Sequence, residues 1–332
     1  MDSDVDFIEV SDQSDFNFSL FYKFLDRLLS KFSQISFSLH KLLIKENLDA
    51  INNSDILVVT NHGLGASIAL IIKIKRIKNK KIYIINAQMF EPRVSNYFKK
   101  IIRNYFINLT INKSERIIFT SHREFEYAVE IKPLKESKFI SIPFCVDTDF
   151  WRTDEVNFSK KKGVLFVGQN DMRDIKKFLE IAKNLKDIEF TAVTTLIDED
   201  SDIPTNVKII RGNWNLSILE DLELKHLYEK ARLTILPIKE NTVACSGHSV
   251  SLQSMAVGTP VIMNKHGGFW ESVDETKILL IDTVNEEWED KISNLYKNEK
   301  ELMHLSQIGM NNTIENFNYR VFNNEMKKLI LS

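Results

Sequence analysis

The sequence predicts an α/β protein built from two doubly wound parallel-sheet domains, and three observations carry that expectation. Short runs rich in Ile, Val, Leu and Phe alternate with longer amphipathic stretches along the chain, a pattern that leads to parallel strands with helices on both faces. At 332 residues the chain is too long for one small domain and suits two of about 150 residues each. Apolar runs also end in turns that open the next helix, as at Thr60-Asn61-His62-Gly63 and Val167-Gly168-Gln169. In an open α/β sheet, ligands sit beyond such carboxyl ends.

Taken in order, the first half has strands expected at 5–10, 56–60, 82–86, 116–120 and 139–142, each a short apolar run bounded by polar or turn residues. Helices are expected at 18–45 with a break, 65–76, 94–106 and 124–131. The second half repeats the pattern, with strands at 164–167, 189–193, 207–210, 233–236, 260–263 and 278–281 and a last helix at 313–331. The polar, lysine-rich stretch 153–162 reads as a linker. This gives a first domain at 1–155, a second at 156–312 and a closing helix at 313–332.

Composition sets limits on function. Hydrophobic residues at 43% and charged residues at 27% are those of a globular chain with a sizeable core. Cys145 and Cys245, a hundred positions apart, form neither a disulfide framework nor a zinc motif, which fits a reducing cytoplasm. The first fifteen residues hold six acids and no base, the opposite of a secretory signal. No apolar run approaches the ~20 residues of a membrane span.

The net charge is −2, but its distribution is uneven, with bases concentrated in Lys73 to Lys81 and in Asn96 to Phe106. In the second stretch Phe98, Ile101, Ile102, Tyr105 and Phe106 recur at helical spacing with Lys99, Lys100 and Arg103 between them. Two readings stand: peripheral contact of 73–106 with the inner face of a membrane, or a core-facing helix with a solvated basic face. Nucleic-acid binding is excluded by the modest charge and the lack of a recognised module. No Gly-x-x-x-x-Gly-Lys-Ser/Thr loop occurs, and paired glycosidase-like carboxylates cannot be assigned from spacing.

The segment from Cys245 to Glu271 is the most informative. Ser246, Gly247 and Ser249 stand ahead of a short stretch in which Val250, Met255 and Ala256 can face a core, so a helix is expected to start near Gly247. The amides of its first turn would have no partner within the helix, and with the dipole they make an anion site. The helix stops at Gly258, a buried strand follows, and Gly267-Gly268 turns after it. An ordinary helix cap and an ordinary turn fit the same residues.

The pattern small-Gly-x-Ser, then x-x-Met-Ala-x-Gly-x-Pro-Val-Ile, then Gly-Gly-x-x-Glu resembles the donor-binding segment of retaining glycosyltransferases of the GT-B fold, family 4. Val164 to Gly168 followed by Gln-Asn-Asp-Met-Arg-Asp is similar to the donor-phosphate loop of that family. Leu222 to Pro237 resembles the helix and strand ahead of the donor helix, and Ile140 to Phe150 the inter-domain crossing. The resemblance spans about residues 55 to 325. It implies two Rossmann-like domains facing each other across a cleft, with the last helix crossing back onto the first.

It also implies a transferase that moves a sugar from a nucleotide-diphosphate sugar to a glycan, lipid or small-molecule acceptor, with retention, without a metal and without a further cofactor. The donor-binding residues would be Gly168, Gln169, Asn170, Arg173, Ser246, Gly247, His248, Ser249, Gln253, Gly267, Gly268 and Glu271. Arg173 would stabilise charge on the leaving diphosphate. Asn61, Gly63, Asn86 and Gln88 follow first-domain strands and are assigned to the acceptor side, with His62 as a proton donor or acceptor or as a structural histidine.

The chain departs from the family at two positions where many members carry glutamates, here Cys245 and Gln253. It also begins at what resembles the second strand of the family's first domain, leaving either a reduced domain or a start outside this sequence. A non-catalytic scaffold that binds a nucleotide sugar, or a sugar-nucleotide epimerase, are the alternative readings.

Overall fold

The structure is a computed structural model and describes residues 16–75, 77, 80–93, 96–198, 201–211, 219–240, 242–243, 246–264, 279–281 and 287–331. The strand expected at 5–10 lies outside the described residues, as do Cys245, Gly267, Gly268 and Glu271. The chain divides into two compact units, residues 1–120 with 124–141, and 121–123 with 142–332. The division drawn from the sequence lay at 155/156.

In the first unit the order is α1 (Phe16–Ser33), α2 (Leu39–Leu42), α3 (Lys45–Asn53), β1 (Ile56–Val59), α4 (His62–Lys75), β2 (Lys81–Asn86), α5 (Tyr97–Lys113), β3 (Arg116–Phe119), α6 (His122–Ile131) and β4 (Phe139–Ser141). The strands form one parallel sheet, β1-β2-β3-β4. Ile82, Ile84, Ile117 and Phe119 are buried in it, because β-branched and aromatic side chains suit a sheet covered on both faces. The helix expected at 18–45 is interrupted after Ser33, where Gln34 adopts φ 57° and the Ser33 hydroxyl accepts from the Ile35 amide.

Helix α5 runs seven residues beyond its expected end. Leu109 and Ile111 are buried in that extension, and the gain from burial outweighs the low helix propensity of its Ile, Asn and Thr residues. The expectation of a solvated basic face on this helix is corrected at Arg103. Its guanidinium is buried and donates to the backbone carbonyls of Gln34 (2.7 Å) and Met89 (2.8 Å).

The second unit continues with β5 (Val164–Val167), α7 (Ile175–Asn184), β6 (Phe190–Val193), β7 (Val207–Ile210), α8 (Asp221–Lys230), β8 (Leu233–Leu236), α9 (His248–Ala256), β9 (Val261–Asn264), β10 (Leu279–Ile281), α10 (Trp288–Lys297), α11 (Glu299–Asn316) and α12 (Tyr319–Leu331). Its parallel sheet has the order β10-β9-β8-β5-β6-β7. From β5 the chain winds outward one way through β6 and β7, then returns to β8 on the other side of β5. The topological switch point therefore lies between β5 and β8, the position at which open α/β sheets bind their ligands.

Every residue of β5, β8 and β9 is buried, which explains their continuous apolar runs. The helix expected at 313–331 is two helices. The Phe317 carbonyl accepts from the Val146 amide (2.8 Å), and the Asn318 side chain accepts from the amides of Arg320 and Val321. These bonds end one helix and start the next.

Candidate active site

Four of the expected donor-side residues, Gly168, Arg173, Ser246 and Gly247, converge on the switch point. Gly168 follows β5, Pro237 and Ile238 follow β8, and a short antiparallel bridge joins Arg173 to Ile238 across the gap. The Asp174 amide donates to the Pro237 carbonyl (2.9 Å) and the Lys239 amide to the Met172 carbonyl (2.9 Å). This bridge turns the Arg173 side chain inward, where it is buried at 4% exposure. Its Nε donates to the Val167 carbonyl (3.3 Å) and its Nη1 to the Ser246 hydroxyl.

Burial holds the Arg173 guanidinium at about 10, below its usual value but still charged at neutral pH. A Cβ on Gly168 would stand 2.5 Å from Arg173 Cγ and 2.6 Å from Nε, so only glycine lets this side chain lie along the strand end.

The Arg173 guanidinium lies at the start of α9, against Ser246 and Gly247. A Cβ on Gly247 would stand 3.9 Å from Arg173 Nη1. Gly247 caps α9 at φ 94°, a left-handed conformation that glycine adopts without steric cost. The Gly247 carbonyl accepts from the Ser251 amide (2.8 Å) and hydroxyl (2.9 Å), fixing the first turn. A guanidinium and a helix N-terminus thus meet at one edge of a sheet, a pairing suited to a diphosphate.

The other donor-side residues occupy graded positions around this point. Ser246 and His248 are buried, and the His248 ring lies 6.1 Å from that of Phe144. Ser249 is exposed and Gln253, on the same helix, is half-buried. Tyr228 donates to Gln253 Oε1 at 3.4 Å. Gln169 Oε1 accepts from the amide and hydroxyl of Thr195 (2.9 and 2.8 Å), tying the turn after β5 to the end of β6. Asn170 Oδ1 is buried without a hydrogen-bond partner.

In the first unit, Asn61 accepts from the Leu64 amide (2.9 Å) and starts α4, with Gly63 packed against the Ser36 carbonyl. Gln88 stands half-buried at φ 72°. Asn86 is 1% exposed, and its amide serves the interior: Nδ2 donates to Glu124 Oε1 (2.8 Å) and Oδ1 accepts from the Met89 amide (3.1 Å).

Burial, then the positive charges of Arg103 and Arg93, lower His62 to about 4, against a backbone hydrogen bond at Ala87. His62 is therefore neutral at physiological pH, and its Nδ1 is buried without a hydrogen-bond partner. Glu124 lies beside Asn86, and its complete burial pushes the carboxyl up to about 7 despite the Asn86 hydrogen bond.

Sequence reasoning missed Asn264, Glu124 and Tyr228. Asn264, the last residue of β9, accepts from the Ile238 amide (2.8 Å) and donates to its carbonyl (2.7 Å), so it pins the turn after β8. A polar residue closing an apolar strand was the available signal. Glu124 could have been noticed as a carboxylate in a helix's first turn directly after a strand. Among the described residues no group of three His, Cys, Asp or Glu side chains is placed to hold a metal ion.

Residues 161–298 match the model of the family Glycosyl transferases group 1. The match covers the described core of the second unit, including the switch point and α9. No curated protein matched the chain. Among solved structures, a sucrose-phosphate synthase from Thermosynechococcus elongatus aligns with a TM-score of 0.66 and 14% identity, over 86% of this chain and 76% of its own. Anabaena HepE, solved in complex with UDP and glucose, aligns with a TM-score of 0.68 and 12% identity, over 86% and 80%. A glycosyltransferase from Rickettsia africae aligns with a TM-score of 0.63 and 14% identity, over 98% and 84%. The fold is that of GT-B glycosyltransferases, two parallel-sheet α/β domains, and the second unit carries the glycosyl transferases group 1 match. The enzyme class expected from the sequence, a glycosyltransferase, agrees with both findings.

Proposed function

We propose that this chain transfers a sugar from a nucleoside-diphosphate sugar to an acceptor hydroxyl, with retention of anomeric configuration and without a metal. The observation that carries the proposal is the approach of Arg173 to the start of α9 at the β5/β8 switch point. Departure of the nucleotide leaves negative charge on the β-phosphate. A guanidinium already ordered by Val167 and Ser246, together with first-turn amides, offers fixed positive potential there without reorganisation. Arg suits the role because its planar fork offers several donors and stays charged even when buried. The structure of HepE with UDP and glucose supports a donor of this class.

In this reading the second unit holds the donor and Gln253 approaches the ribose. The first unit holds the acceptor, with neutral His62 accepting from or donating to a hydroxyl through one ring nitrogen. A cytoplasmic setting belongs to the same proposal. One specific observation favours a non-catalytic binder: Cys245 and Gln253 stand where the family resemblance implies glutamates, so the negative charge those residues would supply is missing.

A screen of nucleotide sugars by thermal shift, paired with assay of donor hydrolysis, separates the two. A transferase shows stabilisation and slow hydrolysis by one donor, both lost in Arg173→Ala. Stabilisation without turnover under any acceptor condition favours the binder. Neither effect with any nucleotide sugar overturns the proposal.

A further inference from the structure

One face of the first unit carries an apolar surface that the unit's own core does not use. Helix α1 turns Leu25 and Leu29 inward onto the cores beneath it, yet Leu20, Phe21, Phe24 and Leu28 are 40 to 64% exposed on its opposite side. Helix α5 does the same: Phe106 and Ile107 are buried, whereas Tyr97, Phe98, Ile101 and Tyr105 are 47 to 80% exposed. The two surfaces meet, since the rings of Phe32 on α1 and Phe98 on α5 pack edge to face at 6.2 Å. Helix α4 adjoins through Lys73, whose ammonium donates to the Tyr105 hydroxyl (2.6 Å), and it exposes Ile74 at 70%. Soluble surfaces rarely leave aromatic and aliphatic side chains exposed in such a group.

The charge around this surface identifies what covers it. Lys23, Arg27 and Lys31 on α1, Lys73 and Lys75 on α4 and Lys100 on α5 are all exposed. Among the described residues of these three helices the one acid is Asp26. It is 5% exposed, and its carboxylate accepts from the amides of Leu39 and His40 and pairs with His40 Nδ1 at 2.7 Å. No carboxylate on α1, α4 or α5 therefore offsets the bases.

A protein partner would need to match an apolar face interrupted by six cations. A bilayer with anionic headgroups does so without specific complementarity: rings enter the boundary between headgroups and acyl chains while lysines remain among the phosphates. We propose that α1 and the first half of α5 form a docking surface that seats the first unit on an anionic lipid surface. No helix among the described residues is long and apolar enough to cross a membrane, so contact through these helices is peripheral. The proposal stands apart from the assignment of a sugar donor, and its test does not depend on turnover.

The full chain is sedimented with vesicles of phosphatidylcholine alone and with vesicles that include phosphatidylglycerol, at low and at high salt. Binding is expected only with phosphatidylglycerol and falls as salt screens the lysines. In Phe24→Trp, tryptophan emission shifts to the blue on vesicle addition, because the ring leaves water. Lys23→Glu/Lys31→Glu/Lys100→Glu binds roughly a hundredfold more weakly or worse, and Phe21→Ser/Phe24→Ser/Phe98→Ser loses binding while keeping the wild-type melting temperature. Equal binding to both vesicle types, absence of binding, or unaltered binding by both triple variants overturns the proposal. So does a dimer in solution that the serine variant dissociates in the absence of vesicle binding by the wild type.

Discussion

The Gly168→Ala substitution tests how Arg173 is held. The added Cβ would lie 2.5 Å from Arg173 Cγ, 2.6 Å from Nε and 2.9 Å from Cδ. These atoms belong to the middle of a buried side chain, not to a mobile tip, so the side chain must leave its position. Displacement breaks the bonds from Nε to the Val167 carbonyl and from Nη1 to the Ser246 hydroxyl. Each bond involves a charged donor and contributes about 1.5–3 kcal/mol.

Stability is expected to fall by about 2–4 kcal/mol, since one hydrogen bond can be partly regained by rearrangement. Affinity for a nucleoside diphosphate is expected to fall by about 1.5–3 kcal/mol, on the order of tenfold to a hundredfold. Chemical denaturation reads the first effect and calorimetric titration of UDP or another nucleoside diphosphate the second. Gly309→Ala serves as the control, because the atoms nearest its Cβ would be those of the flexible Met255 side chain at 3.2 to 3.4 Å. If Gly168→Ala loses stability while diphosphate affinity stays at the wild-type value, Arg173 does not act on the diphosphate and the site has been assembled wrongly.

Three further outcomes follow from the same geometry. His62 is held at about 4 and Glu124 at about 7; the folded state binds fewer protons at His62 between pH 4 and 6.5 and more at Glu124 between pH 4.5 and 7. Their contributions to stability therefore slope in opposite directions, each up to about 1.4 kcal/mol per pH unit. Glu124→Gln should lose stability as pH falls from 6.5 toward 4, and His62→Gln as pH rises from 4.5 to 7; parallel profiles for the wild type and both variants would refute these placements. Asn264→Ala removes the bonds to the amide and carbonyl of Ile238 and should cost about 2–4 kcal/mol in denaturation experiments, a value near zero showing that the turn after β8 is held by other bonds. Gln253→Leu should weaken nucleotide binding by about 1–3 kcal/mol while Cys245→Ala and Tyr228→Phe change it little, and the reverse pattern in titration would place the donor helix in another register.

The parts of the fold that were legible in the sequence are those dictated by local pattern. Strands β5, β8 and β9 are buried on both faces, so their apolar runs could hardly read otherwise, and α9 starts at Gly247 because small residues there announce a cap. Helix α3 went unseen because its nine residues bury only Asn47 and Ile51, too few to produce a periodic signal. Arg103 read as part of a solvated basic face because its partners, the carbonyls of Gln34 and Met89, lie 69 and 14 positions away. Backbone acceptors at that separation leave no trace in side-chain spacing.

At the candidate site, Arg173 and Ser246 were found through motif spacing, although 73 residues separate them. Glu124 and Asn264 were not, because each acts on a turn contributed by another segment, and only the folded chain shows that a buried carboxyl and a strand-end amide fix the loops that carry Gln88 and Ile238.

The most direct test of the account is a crystal structure of the chain with a nucleoside diphosphate bound. The β-phosphate is expected within hydrogen-bond distance of the first-turn amides of α9 and of Arg173, with the ribose beside Gln253. A diphosphate bound elsewhere, with Arg173 still directed only at Val167 and Ser246, would contradict it.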